Sequence, residues 1–227
     1  MDVFKIHYGR FPGKECQILN LKAFSIAADE TVIGFHPNIF HLNIFQIQLG
    51  KALQKDSLKC KEMTTYVPDY PAVYERLSGM EYLNFIGDVY GVPKTERLQK
   101  IEKWLEVFEL TQAIGSPIQS YSHGMKQKIV LMAALLPAPQ VTVLDEPIVG
   151  LDPRASHHMK ELMREHCDQG KTLFFSTHIM EVAEKLCDRI GIISKGRLIA
   201  SGTMEELIKI DESDESLENI FLELTEK

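Results

Sequence analysis

Asp145 and Glu146 stand side by side at the end of a short apolar, β-branched run, Val141-Thr142-Val143-Leu144. Such a run reads as a buried strand, and ligands of open parallel sheets bind at the C-terminal edge that these two acids occupy. About twenty residues earlier, Ser122-His123-Gly124 opens directly onto a helical pattern from Met125 to Leu136. Free backbone N–H groups and the positive end of the helix dipole make such a turn a natural phosphate contact. Taken by itself the acid pair also has a plainer reading, two carboxylates ending a strand.

Together these residues resemble the ATP-binding subunit of an ABC transporter. Ser120 to Gln127 is similar to the family's signature segment, Leu144-Asp145-Glu146-Pro147 to its Walker B motif, Gly150-Leu151-Asp152 to its D-loop, and Ser176-Thr177-His178 to its H-switch. Four motifs in the family's order are hard to obtain by chance. The resemblance implies ATP and magnesium as cofactors. Asp145 would orient the metal and its waters, Glu146 polarise the attacking water, and His178 contact the γ-phosphate and link it to Glu146. Ser122, Gly124 and Asp152 are the expected nucleotide contacts of the signature and D-loop. The signature departs from the usual L-S-G-G-Q at Tyr121, His123 and Met125, but keeps the serine and the second glycine.

One expected motif is missing. After the strand-like Thr31 to Phe35, the family places a phosphate loop, G-P-N-G-x-G-K-S-T, whose glycines let backbone N–H groups wrap the phosphates. Here the chain reads His36-Pro37-Asn38-Ile39-Phe40-His41-Leu42-Asn43-Ile44. Ile39 and His41 replace glycines, Leu42 replaces the lysine, and Asn43 replaces the hydroxyl that would bind magnesium. β-Branched Ile39 is poorly suited to a glycine conformation, and the lost lysine removes a charge-assisted contact worth about 1.5–3 kcal/mol. Asn38, in the aligned frame, and Asn43 are the nucleotide contacts that the resemblance implies there. Ile44 to Leu53 still fits the helix that follows the loop.

The interval from Leu42 to Asp69 is shorter than the family's by roughly the length of one strand hairpin. Resemblance resumes at M-T-T-Y-V-P-D-Y-P-A-V-Y-E-R-L-S-G-M-E-Y-L, similar to the strand and Q-loop of export-type members. Asp69 holds the glutamine position. A carboxylate there can accept from water or join a magnesium shell but cannot donate as an amide does, and some export-type relatives carry an acid at this point. Upstream, V-F-K-I-H-Y, Q-I-L-N-L-K-A-F-S-I and T-V-I-G-F read as short strands. Tyr8 lies where the family stacks an aromatic on adenine; it is equally a half-buried strand tyrosine.

The elements that must position these residues follow from periodicity. Residues 75–119 turn helical, with a glycine stop at Gly91, a cap expected at Thr95, and Leu98, Ile101, Leu105 and Phe108 inward. This stretch resembles the family's helical subdomain. Ala155 to Asp168 predicts a polar-faced helix, Lys171 to Ser176 a buried strand, and Met180 to Cys187 a helix. Arg189 to Gly202 predicts a hairpin turning at Lys195-Gly196. Asp211 to Glu215 reads as a solvated linker, followed by an amphipathic tail. The expected fold is α/β, a P-loop NTPase-type core with a mainly parallel sheet, an N-terminal antiparallel β subdomain and an inserted helical subdomain. The expected organisation is a single ABC ATPase domain over 1–227: an N-terminal β part at 1–35, the degenerate loop and shortened core at 36–68, the helical subdomain at 69–119, the signature-to-H-switch part at 120–202 and a tail at 203–227.

Bulk properties exclude several classes. A hydrophobic fraction of 44% within 227 residues describes an ordinary globular chain. The longest apolar run, Ile129 to Ala138, is too short for a bilayer and contains Pro137, and Met1 to Phe11 lacks a signal-peptide core. A net charge of -7 argues against nucleic acid as a partner. Four scattered cysteines fit reduced thiols in a cytoplasmic protein. His157, His158, His166 and Cys167 invite a metal reading, but without a second cluster a solvated helix face is the better expectation.

The family works as a dimer with two composite sites, each joining one subunit's phosphate loop and Walker B to the other's signature. The resemblance therefore implies a membrane permease and a second ABC ATPase subunit as partners, with peripheral attachment to the inner membrane face. The chain's own nucleotide site is expected to be impaired and its signature free to serve a partner. The alternatives are a non-catalytic scaffold or regulator, or a lesion between about His36 and Lys61 in a descendant of a working ATPase. Cytosolic ABC translation factors are a weaker option, since they usually carry two such domains in one chain.

Overall fold

A computed structural model describes residues 30–35, 57–70, 73–194, 197–211 and 216–225. In chain order the elements are β1 (Glu30–Phe35), α1 (Ser57–Glu62), β2 (Thr64–Val67), α2 (Gly79–Val89), α3 (Lys94–Val107), α4 (His123–Leu135), β3 (Val141–Asp145), α5 (Pro153–Asp168), β4 (Thr172–Thr177), α6 (Met180–Leu186), β5 (Arg189–Ser194), β6 (Arg197–Gly202), α7 (Met204–Asp211) and α8 (Leu217–Thr225). They fall into two compact units, one spanning Glu62–Leu173 and one made of Phe174 onward with the described residues before Glu62. Tyr8, Asn38, Asn43, the first two expected strands, the expected helix at 44–53 and the turn at 195–196 lie outside the described residues. Among the described residues, no helix is long and apolar enough to cross a membrane.

In the Glu62–Leu173 unit, β-branched β2 and β3 pair in parallel, from Thr64 opposite Val141 to Val67 opposite Leu144. Parallel pairing sends both chains out at one edge, so Asp69 follows β2 at the same end at which Asp145 and Glu146 close β3. Ser78 starts α2 through a capping box. Its hydroxyl accepts from the Glu81 N–H at 3.2 Å, and Glu81 Oε2 accepts from the Ser78 N–H at 2.8 Å. Gly91, at φ 66, follows the end of α2, as a glycine stop requires.

The start of α3 differs from expectation. Pro93 is the N-cap and makes no side-chain cap bond, so Thr95 lies inside the helix. Proline's fixed φ begins the helix there without a hydroxyl. Ile101, Leu105 and Phe108 are buried as the periodicity predicts, and Trp104 joins them, but Leu98 is only half-buried.

Arg97, 5% exposed, clamps α3 to α2. Its Nη1 donates to the Asn84 carbonyl at 2.9 Å, and its Nη2 donates to Asp88 Oδ1 at 2.6 Å and to the Val92 carbonyl at 2.8 Å. Gly87 makes room for it, since a β-carbon there would lie 2.5 Å from Arg97 Nε.

α5 also differs from expectation. His166 and Cys167 do not face solvent; both are buried. His166 Nε2 sits 3.2 Å from Thr142 Oγ1 on β3, and Thr65 Oγ1 on β2 donates to Thr142 Oγ1 at 3.5 Å. A polar chain thus threads the interior, and each member is held by the next. His157 remains exposed on the opposite side of the helix, with Glu161 within 3.4 Å.

In the other unit, β1 pairs antiparallel with β4 (Phe35 opposite Phe174) and with β5 (Glu30 opposite Ser194). β6 adds antiparallel to β5, giving the expected hairpin. Ala183, Ile190, Ile192, Leu207, Leu217, Ile220 and Phe221 form one apolar core, so the amphipathic tail packs as a helix, and Glu184 accepts from the Leu217 N–H at 2.5 Å. α1 and α7 were not anticipated. The signal for α7 is present as Thr203-x-x-Glu206, whose reciprocal bonds measure 3.0 and 3.2 Å.

Candidate functional site

The Ser122 turn is fixed from below by Tyr121. That side chain is buried, and its hydroxyl donates to the Ala113 carbonyl at 2.8 Å. Tyrosine in place of the usual leucine therefore anchors the turn rather than disrupting it. Ser122 is exposed, has extended backbone and caps α4, its Oγ accepting from the Met125 N–H at 3.3 Å. Capping uses a lone pair and leaves the hydroxyl proton to donate. The first N–H groups of a helix have no intrahelical partner, so His123 and Gly124 present amides beside that hydroxyl. The arrangement suits an anion.

The D-loop lies against this turn. A β-carbon at Gly124 would come 2.7 Å from the Gly150 carbonyl oxygen, and one at Gly150 would come 2.5 Å from His123 Cδ2. Gly150 also has φ 78, a left-handed conformation that glycine tolerates best. Gly124 is therefore required by contact, and Gly150 by contact as well as by conformation. The intervening chain is tightly turned, with Val149 N–H donating to the Glu146 carbonyl at 3.2 Å and Leu151 N–H to the Ile148 carbonyl at 3.3 Å.

Asp152 is engaged twice within the chain. It caps α5 by accepting from the Ala155 N–H at 2.8 Å, and it pairs with Lys128 Nζ at 2.9 Å. The cap bond first and the Lys128 bond second hold its carboxyl below the usual aspartate range. Lys128, mostly buried, also donates to the Phe108 carbonyl at 3.3 Å. Sequence reading singled out neither Lys128 nor the role of His123. The only local signal is that Lys128 lies four residues after Gly124, on the same face of α4.

Asp145 is half-buried at the end of β3. Partial burial first and the Asp145 charge second raise the Tyr66 hydroxyl's pKa. Glu146 is also half-buried and has φ 46, a conformation that costs a non-glycine residue on the order of 1 kcal/mol. Strain of this kind gathers where a side chain must be aimed. Asp69 is half-buried beyond β2. Oxygen donors from Asp145 and Asp69 at one sheet edge fit a hard divalent cation such as magnesium. His178 is exposed just after β4, in the other unit.

Close by in sequence are exposed aromatic side chains, Phe85 on α2 and Tyr70 and Tyr74 before it. Tyr74 meets Phe85 edge-on, with centroids 5.4 Å apart, and Tyr70, Tyr74, Phe85 and Val89 are all exposed, Tyr70 by 82%.

A family model described as "AAA domain, putative AbiEii toxin, Type IV TA system" matches residues 92–184, the stretch holding Ser122, Asp145, Glu146 and His178. Linearmycin resistance ATP-binding protein LnrL of Bacillus subtilis (strain 168) is 37% identical over 70% of this chain, which spans 51% of that protein's length. ABC-type transporter ATP-binding protein EcsA of the same organism is 32% identical over 93% of this chain and 86% of its own. A solved structure titled "Structure of ATP binding subunit of ABC transporter" superposes with a TM-score of 0.72 at 32% identity, covering 76% of this chain and 72% of that one. The fold is thus α/β of the P-loop NTPase type, and the chain belongs to the ATP-binding proteins of ABC transporters.

Proposed function

We propose that this chain serves an asymmetric ABC transporter, its signature turn completing the nucleotide site of a catalytically competent partner ATPase while its own phosphate loop binds nucleotide poorly. The observation that carries this reading is the Ser122 turn, an exposed hydroxyl and helix-start amides built on a buried tyrosine anchor. The loop residues Ile39, His41, Leu42 and Asn43 support the second half, because they lack the glycines and lysine that hold phosphates. When bound, ATP with magnesium supplies the phosphoanhydride whose cleavage is coupled to transport.

In this reading Asp145 and Asp69 hold the metal, Glu146 orients water, His178 faces the γ-phosphate and Asp152 shapes the D-loop. Asn38 and Asn43 offer polar contacts only, and Tyr8 offers a face for adenine. The exposed Tyr74, Phe85 and Val89 are suited to a permease segment, which would hold the chain peripherally at the cytoplasmic side of the membrane. Similarity to export-type members, including a relative named for resistance, favours export. The absent loop lysine equally admits a scaffold that binds its partners without supporting turnover.

The test is ATP binding and hydrolysis by the chain alone and with candidate partner subunits. Expected is weak binding alone, and partner-dependent hydrolysis that falls by about 10²-fold in Ser122→Ala, the scale of one lost charge-stabilising donor. Tight magnesium-dependent binding by the isolated chain overturns the impaired-loop reading. Partnered hydrolysis indifferent to Ser122→Ala favours the scaffold.

A further inference from the structure

The His123 side chain stands where the signature segment usually has a hydrogen, and its surroundings assign it a purpose. The imidazole fills the space that a side chain at Gly150 would occupy, 2.5 Å from an ideal β-carbon there at Cδ2 and 2.9 Å at Nε2. On the same turn the Gly150 carbonyl is pressed against Gly124. Tyr70 lies beside the imidazole, centroids 6.3 Å apart and planes tilted by 48°. The D-loop is held at its other end by the Lys128–Asp152 pair at 2.9 Å. The turn bonds of Val149 and Leu151, at 3.2 and 3.3 Å, are long. A bare glycine at 123 would leave the Gly150 end of the D-loop without a lateral wall.

We propose that His123 is a positioning residue that walls the D-loop turn against the signature turn, so that Ser122–Gly124 and Gly150–Asp152 move as one element. The packing part of this inference stands on the geometry alone. Its consequence, that the paired turns are offered together to a partner's nucleotide site, rests on the function proposed above. Ring shape carries the effect, since the contact is face and edge packing on a glycine. A phenyl ring is therefore expected to substitute for the imidazole, whereas glycine is not.

The experiment is amide hydrogen exchange on the full chain as wild type, His123→Gly and His123→Phe, read at Val149 and Leu151 and, for reference, at Ile129 to Leu135 in α4. Expected is about tenfold faster exchange at Val149 and Leu151 in His123→Gly, reference amides unchanged, and near-wild-type rates in His123→Phe, as for a local opening that loses one ring's packing. The proposal is overturned by unchanged rates at 149 and 151, by acceleration spread equally through α4, or by failure of the phenyl ring to restore protection.

The functional consequence is read in the assembled complex of permease, partner ATPase and this chain, with Ser122→Ala as control. Expected is a severalfold lower maximal hydrolysis rate in His123→Gly with the KM for ATP unchanged. A complex sensitive to Ser122→Ala but not to His123→Gly overturns the positioning role. A complex insensitive to both, with the exchange result intact, overturns the trans-acting function and leaves the packing inference standing.

Discussion

Replacing His166 with glutamine should remove a defined part of the chain's acid sensitivity. His166 is 6% exposed, and burial first, then the positive charge of Lys171, push its pKa down to about 4 from 6.5. Thr65 donates to Thr142, which leaves the Thr142 proton for the Nε2 lone pair and so fits a neutral ring protonated at Nδ1. Below its unfolded pKa of 6.5 the unfolded chain binds a proton that the folded chain refuses, so stability falls as pH falls. The full loss, reached below pH 4, is about 3 kcal/mol, and roughly 2 kcal/mol is already gone between pH 7.5 and 5. For a chain of this size that is about 4–8 °C in Tm. Glutamine keeps a neutral acceptor near Thr142 and cannot charge. Thermal unfolding of wild type and His166→Gln across pH 7.5 to 5 should show wild type losing about 4–8 °C more than the variant. Because other titrating groups act in both proteins, their share cancels in the difference. Parallel pH profiles would refute the buried-neutral assignment.

Other perturbations read different parts of the molecule. Gly87→Ala drives a methyl to within 2.5 Å of Arg97 Nε, and should lower stability by about 1–3 kcal/mol in a urea titration. In Gly124→Ala the new methyl meets backbone, the Gly150 carbonyl oxygen at 2.7 Å; exchange at Leu151 should quicken, and partnered hydrolysis should fall as in Ser122→Ala. Glu146→Gly relieves the left-handed strain at φ 46 and should raise the unfolding free energy in a urea titration by about 1 kcal/mol, a gain that glutamine there would not give. Glu184→Ala leaves the Leu217 N–H without its carboxylate, and should cost about 1 kcal/mol while hastening limited proteolysis near Ser216.

The periodic elements were legible because each carried its signal within one turn or one strand. Val141 to Leu144, the α4 run and the inward row Ile101, Leu105 and Phe108 fall where apolar spacing places them. Some residues depart from expectation because their partners lie far along the chain, others because a neighbour acts first. His166 and Cys167 look solvated in a helix rich in charge, and only the pairing of β3 with α5 through Thr142, 24 residues away, reveals a buried histidine. Thr95 has the right chemistry for a cap, yet Pro93 two residues earlier sets the backbone first. The Thr203–Glu206 box is a local helix-start signal, set just ahead of an acidic run.

The candidate site divides along the same line. Ser122, Asp145 and Glu146 are visible in sequence because their chemistry is local to a helix start and a strand end. What joins them is not local. Gly150 is explained by a histidine 27 residues earlier and Asp152 by a lysine 24 residues earlier, and neither spacing has a period that a sequence pattern can report. The signature and D-loop read as two separate motifs, but in the fold each limits what the other can be: His123 demands a residue without a side chain at 150, and the Gly150 carbonyl demands one at 124. A side chain at 150 therefore has to be matched by a smaller residue at 123, whereas one at 124 strikes backbone that no substitution removes. His123→Gly combined with Gly150→Ala should be less damaging than the sum of the two single changes, because the first removes the ring that the second would strike. The φ of 78 at Gly150 sets a floor on the recovery. The residual defect of the double variant measures that backbone strain, while the non-additive part measures the contact.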